Sequence, residues 1–109
     1  IHTSQNSLTW FGTYVGTLPC ASCPGIETTL ILKKDNTYKL VMNFQDEPEP
    51  GEIRKSGDFS WNEAGNIITL GNMQPPNQYF VGENYVTKLD INGNRIMGAL
   101  KESYKLTKK

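Results

Sequence analysis

Apolar and polar residues alternate along most of this chain, and a period of two is the signature of half-buried strands. The pattern is clearest from Thr37 to Phe44, where Tyr38, Leu40, Met42 and Phe44 share one face and Lys39 and Asn43 the other. Before it, Ile26, Thr28, Leu30 and Leu32 form a second stripe opposite Glu27, Thr29 and Lys33. Lys34-Asp35-Asn36-Thr37 joins the two as a tight hairpin, because Asp and Asn tolerate the left-handed backbone such turns demand. The alternation therefore predicts one core, built from Tyr38, Leu40, Met42 and Phe44 with Leu30, Leu32, Phe59, Trp61 and Leu106.

Further strands follow at similar spacing. Trp10 to Gly16 alternates Trp10, Gly12, Tyr14 and Gly16 on one face, a large-small pattern suited to a curved sheet. Gly57, Phe59 and Trp61 end a strand that begins near Ile53, and residues 62–66 turn into Ile67 to Leu70. Gly71 to Pro76 reads as a loop, since Pro75 and Pro76 cannot donate ladder bonds. Tyr79 to Val81, Tyr85 to Leu89 and Tyr104 to Leu106 complete the set, with turns at residues 82–84 and 92–94. Met97 to Lys105 fits either a short helix or a lead into the closing strand. Gln45 to Glu52 is an acidic, Pro-rich loop. Strands at roughly 8–12-residue intervals read as a sandwich or barrel. Consecutive hairpins without long connections favour an all-β, small antiparallel up-and-down β-barrel. We expect residues 1–9 to be a flexible N-terminal segment and residues 10–109 a single domain.

Composition narrows the functional classes. The 109 residues carry 11 basic and 11 acidic side chains, for a formal net charge of zero. A neutral domain lacks the basic footprint of a nucleic-acid binder and is not expected to be drawn strongly to an anionic membrane. The sequence shows no signal peptide and no apolar run long enough to span a bilayer as a helix. The common hydrolase and phosphate-binding motifs are absent, and with His2 as the single histidine the usual catalytic triads cannot assemble without it. The expectation is a protein that is not an enzyme.

One segment has chemistry that folding does not explain: Gly16-Thr17-Leu18-Pro19-Cys20-Ala21-Ser22-Cys23-Pro24-Gly25. Three readings of the Cys20/Cys23 pair stand. A thioredoxin-type site sets its first cysteine at a helix N-terminus, and Pro24 with Gly25 opposes a helix there. Two thiolates suit a soft ion such as Cu(I), which accepts low coordination, whereas structural zinc wants four ligands. His2 is a poor third ligand at a chain end, and Met42, Met73 and Met97 read first as packing. The third reading is a short disulfide that stiffens a loop, and one this short closes with little entropic gain. Pro19 and Pro24 bracket the pair, and Gly25 is expected to permit a sharp return into the strand at Ile26. Asp58, Glu63 and Glu83 read as solvated surface, the lysines at 101, 105, 108 and 109 as an ordinary basic tail. Trp10, Tyr14, Phe59, Trp61 and Tyr79 are expected to fill the barrel rather than line a cavity, which leaves no deep lipid site.

The run Trp10-x-Gly-x-Tyr14-x-Gly-x-Leu18-Pro19-Cys20-x-x-Cys23-x-Gly25-Ile26 resembles the opening of the NlpE N-terminal domain family. Asp35-Asn-x-Tyr38-x-Leu40, Gly57-x-Phe59-x-Trp61 and Tyr79 to Tyr85 with Leu89, Asp90 and Gly93 are similar to the same family in order and spacing. The resemblance implies a lipocalin-like barrel on the periplasmic face of a Gram-negative outer membrane, held by a lipidated cysteine. It further implies roles in copper tolerance and in signalling surface contact or envelope stress to a partner protein through the Cpx pathway. In the family the CxxC, here Cys20 and Cys23, is the proposed metal or redox site, with copper, as Cu(I), the expected ion. No lipobox cysteine and no second, cysteine-bearing domain stand in this sequence, so the anchor is an inference from the resemblance. A lipocalin-like carrier of a lipid or small ligand is the alternative.

Overall fold

The computed structural model describes residues 9–48, 51–98 and 101–109. Eight strands follow one another: β1 Gly12–Leu18, β2 Ile26–Leu32, β3 Thr37–Phe44, β4 Glu52–Trp61, β5 Ile67–Leu70, β6 Gln78–Gly82, β7 Tyr85–Lys88 and β8 Lys105–Lys108. Each pairs antiparallel with its neighbour in sequence, and β8 returns to β1, which closes an up-and-down barrel. Closure leaves every strand with partners on both sides over at least part of its length, the surest way to remove exposed edges.

The alternation decides which way each residue points. In β2 and β3 the cross-strand pairs Leu30–Leu40 and Leu32–Tyr38 put the predicted stripes face to face inside the barrel. Tyr14, Leu30, Leu32, Tyr38, Leu40, Ile68, Leu70, Tyr79, Val81, Val86 and Leu106 are all buried, and they fill the interior. An eight-stranded barrel is just wide enough for side chains to do so. Met42 and Trp61 pack partly buried against this core, and Phe44, at the end of β3, is half-buried.

Differences from the sequence reading are local. The first strand starts at Gly12, with Trp10 outside it. The stretch left open between helix and strand is both: a 3-10 turn at Lys101–Tyr104 runs directly into β8. The closing strand runs further than the Tyr104 to Leu106 expected: Lys105 and Lys108 of the basic tail lie in it, and it pairs with β7 and β1. Lys108 crosses β1 at Gly12, where an added Cβ would lie 2.6 Å from its Cε, and its ammonium donates to the Thr9 carbonyl at 2.6 Å. The expected segment 1–9, with His2, lies outside the described residues save for Thr9, as do residues 49–50 of the acidic loop and residues 99–100.

The two ends of the barrel differ. One carries the short turns 33–36, 62–66 and 83–84 together with Thr9–Phe11 and Lys109. The other carries the described parts of the longer connections: the cysteine loop, residues 45–48, residues 71–77 and residues 89–98.

Candidate functional site

The cysteine loop leaves β1 at Leu18, which is buried, and re-enters the wall at Ile26. Cys20 and Cys23 are joined by a disulfide with their Cα atoms 5.3 Å apart. Ala21, Ser22 and Pro24 are exposed and the two cysteines half-buried, so the bond sits at the barrel rim. No helix grows from the motif, because Pro24 disfavours helical backbone at Cys23 and the chain passes straight into β2. A dipole-activated thiol of the thioredoxin kind therefore has no support here.

Gly25 proves necessary for a different reason from the one expected. Its backbone is not left-handed. It is buried, and an added Cβ would stand 2.6 Å from Thr17 Cγ2 and 3.1 Å from Gln45 Oε1. The residue allows close approach, not a sharp turn. The neighbouring connection fastens onto it: the Gln45 N–H donates to the Gly25 carbonyl at 3.0 Å, and Gln45 Nε2 donates to Glu27 Oε1 at 3.0 Å. Cys23 Sγ lies 3.3 Å from the same Gly25 carbonyl oxygen. A disulfide sulfur has no proton to give, so that contact becomes a hydrogen bond only when the pair is reduced.

The other candidates do not join this loop. Met42 and Met73 pack against the core. Met97 is 74% exposed and lines a shallow cavity of about 230 Å³ on the outer wall with Tyr85, Thr87, Arg95 and Lys105. Asp58, Glu63 and Glu83 lie exposed on separate strands and turns. Among the described residues no three of His, Cys, Asp and Glu gather as a metal cluster. The aromatics do assemble, at the opposite end. Trp10 meets Phe59 at 5.6 Å and Trp61 at 5.5 Å, edge to face, and Tyr14 donates its hydroxyl to the Trp10 carbonyl at 2.6 Å.

Two features escaped the sequence reading. Lys88 stands opposite Tyr79 in the β6–β7 register, so it faces inward. Burial holds its pKa below the ordinary lysine value, and no carboxylate among the described residues pairs with it. The alternation could not flag it, because Val86, Thr87 and Leu89 around it are all buried. The second is a set of cations over rings: Arg95 over Phe80 at 4.0 Å, Lys105 over Tyr85 at 4.4 Å and Lys34 over Phe11 at 4.5 Å. Sequence separation hides such pairs.

Comparison with known proteins agrees with this geometry. The NlpE N-terminal domain family matches residues 14–99. The Escherichia coli K12 lipoprotein NlpE is 34% identical over 83 residues, which is 74% of this chain and 34% of that protein. The 17 kDa lipoprotein of Treponema pallidum is 32% identical over 90 residues, 81% of this chain and 57% of that protein. The chain thus spans between a third and just over half of the length of these relatives. A solved Shewanella oneidensis structure described as a lipoprotein superposes with a TM-score of 0.87 at 47% identity, over 98% of this chain and 95% of that one. The crystal structure of the Cpx pathway activator NlpE from E. coli gives 0.63 at 27% identity, over 80% and 46%. A closed eight-stranded barrel with a CxxC loop at its rim, matched over most of its length by that family, makes this chain a member of the NlpE N-terminal domain family.

Proposed function

We propose that this chain is the barrel domain of a lipid-anchored envelope protein that works by binding and signalling, not catalysis, with Cys20 and Cys23 as its chemical centre. The observation that carries the reading is the bracketed pair itself, two sulfurs held together in an exposed loop at the rim. Support for the setting comes from the relatives, which are named as lipoproteins, and from the E. coli protein's description as an activator of the Cpx pathway. The setting proposed is the periplasmic face of a Gram-negative outer membrane, with a signalling partner protein as the receiver.

In an oxidising compartment the disulfide is the resting state. Reduced, the same two sulfurs form a seat for Cu(I): two soft thiolates, and a loop whose ends Pro19 and Pro24 restrict. The donor set fits a two-coordinate soft ion and does not fit a four-coordinate structural zinc. The filled barrel interior counts against the alternative of a lipid carrier.

The test is to titrate the reduced protein with Cu(I) against a competing chelator, beside a Cys20→Ser/Cys23→Ser variant. The proposal expects stoichiometric uptake by the reduced protein and none by the variant. Equal copper retention by the two leaves the pair a structural clasp.

A further inference from the structure

The outer wall of the barrel holds a second place where polar groups stand without partners. On β6, β7 and β8 the residues that alternate with the buried Val81, Val86 and Leu106 face outward: Phe80, Tyr85, Thr87 and Lys105. The connection after β7 folds back over them, fixed by a bridge between Leu89 and Arg95. Arg95 lies over the Phe80 ring at 4.0 Å and Lys105 over the Tyr85 ring at 4.4 Å. Both cations line the shallow cavity of about 230 Å³, whose apolar side is Ile96 and Met97.

Three features of this cavity have no role in the fold. Thr87 lines it and is only 8% exposed, yet its hydroxyl has no hydrogen-bond partner among the described residues. That hydroxyl is not sealed in, since among the described residues only Trp61 Nε1 is both fully buried and unpartnered. A buried hydroxyl that opens on a cavity is satisfied by what fills the cavity. The Arg95 guanidinium, with five donors, meets no acceptor among the described residues. Stacking on Phe80 holds its plane, so a partner has less side-chain freedom to freeze. Met97 and Ile91, in the same connection, are large hydrophobics left 74% and 68% exposed.

Charge at the cavity is positive by one. Arg95 and Lys105 stand against Glu102 alone among the lining residues. The Glu102 carboxylate is 3.8 Å from Lys105 with 76% of its side chain exposed, a pair that water weakens. Glu83 and Asp90 do not line the cavity, and the Asp90 carboxylate accepts the Asn92 and Asn94 N–H groups at 2.9 Å.

We propose that this cavity binds a short apolar carboxylate. Arg95 takes the carboxylate, whose planar geometry its fork matches. The Thr87 hydroxyl is a second donor, and Tyr85, Ile96 and Met97 cover the chain. At roughly 30 Å³ for each water-sized unit, the volume holds about eight non-hydrogen atoms. That is the size of hexanoate and far below that of a lipid. The site shares no residue with the cysteine loop, and the inference rests neither on copper nor on an anchor.

The test titrates the whole chain, labelled with nitrogen-15, with hexanoate, and follows the amide and arginine Nε–H resonances. So few atoms bind on the order of millimolar. Expected are saturable shifts around Tyr85, Thr87 and Arg95, the Arg95 side chain included. Neither 1-hexanol, which has the chain without the charge, nor acetate, the charge without the chain, should match them at equal concentration. Arg95→Gln should weaken hexanoate roughly tenfold or more, and Thr87→Val a few-fold. Glu102→Gln removes the opposing charge and should tighten binding. Lys39→Gln, on the outer face of β3, makes the same change of net charge as Arg95→Gln and should leave binding unchanged. Arg95, Glu102 and Lys39 are exposed, and the dispersion of each spectrum checks the fold. Four outcomes overturn the proposal: hexanol acting as strongly as hexanoate, saturation elsewhere on the barrel, no saturation at tens of millimolar, or undiminished binding by Arg95→Gln. Copper uptake by the cysteine pair, or its failure, alters none of these readings.

Discussion

The base and the rim of this barrel are built on opposite principles. At the base, short turns close the hairpins, and Trp10, Phe59 and Trp61 pack edge to face beneath the interior tyrosines. At the rim, the connections are long, Phe44, Ile26 and Met42 are only half-buried, and a disulfide replaces packing as the local restraint. The difference shows where each kind of residue is free to vary. The base and interior are held by buried area, so their side chains answer to volume. The rim is held by a few backbone contacts, so its side chains can answer to chemistry.

The comparison is open to attack, beginning with its largest expected effect. Leu40 is buried among Leu30, Tyr38 and the facing wall. Leu40→Ala should cost about 2–5 kcal/mol in denaturant unfolding, whereas Ser22→Ala in the exposed loop should stay within about 0.5 kcal/mol. Comparable losses at the two positions would break the distinction.

Next comes the disulfide. A loop this short contributes at most about 2 kcal/mol by chain entropy, so reduction should lower the unfolding midpoint modestly and leave the far-ultraviolet circular dichroism unchanged. Collapse of the sheet on reduction would mean that the rim supports the barrel after all.

Within the interior, titration separates the buried groups by sign. Burial pushes the Tyr14 hydroxyl up to about 12, and burial, with Tyr38 nearby, pushes Tyr79 higher still. Their folded-state pKa values exceed the unfolded value of 10.0. That stability is therefore complete below pH 10 and is lost as pH rises toward and through the folded values. Lys88 acts the other way. Its folded pKa lies below 10.5, so the unfolded chain binds more protons between the two values and stability rises with pH across that window. Denaturant midpoints measured against pH should show a steeper alkaline fall in Lys88→Met, which lacks the compensating rise, and a shallower one in Tyr79→Phe. Parallel curves for the three proteins would show that these groups are not buried as described.

The smallest effect belongs to Trp61, whose indole Nε1 is buried with no hydrogen-bond partner. An unsatisfied buried donor costs about 1–3 kcal/mol, so Trp61→Phe should offset its lost contacts and change stability by less than about 1 kcal/mol by calorimetry.

The sequence by itself determined the strands, most of their faces and the special status of one loop. These are properties of neighbours in the chain: period-two stripes at Leu30–Leu32 and Tyr38–Leu40, turn residues such as Asp35 and Asn36, and a cysteine pair between prolines. The tertiary structure alone decided what distant residues do for one another. It carried the expected closing strand on to Lys108, because β7 and β1 offered it two open edges. It made Gly25 a site of close approach to Thr17 and Gln45, a contact that no local pattern encodes. It aimed Lys88 inward, where burial on both faces of β7 had erased the alternation. It gathered Lys34, Lys108 and Phe11 at one end of a molecule whose charges sum to zero, since only folding fixes where along the barrel each charge lies.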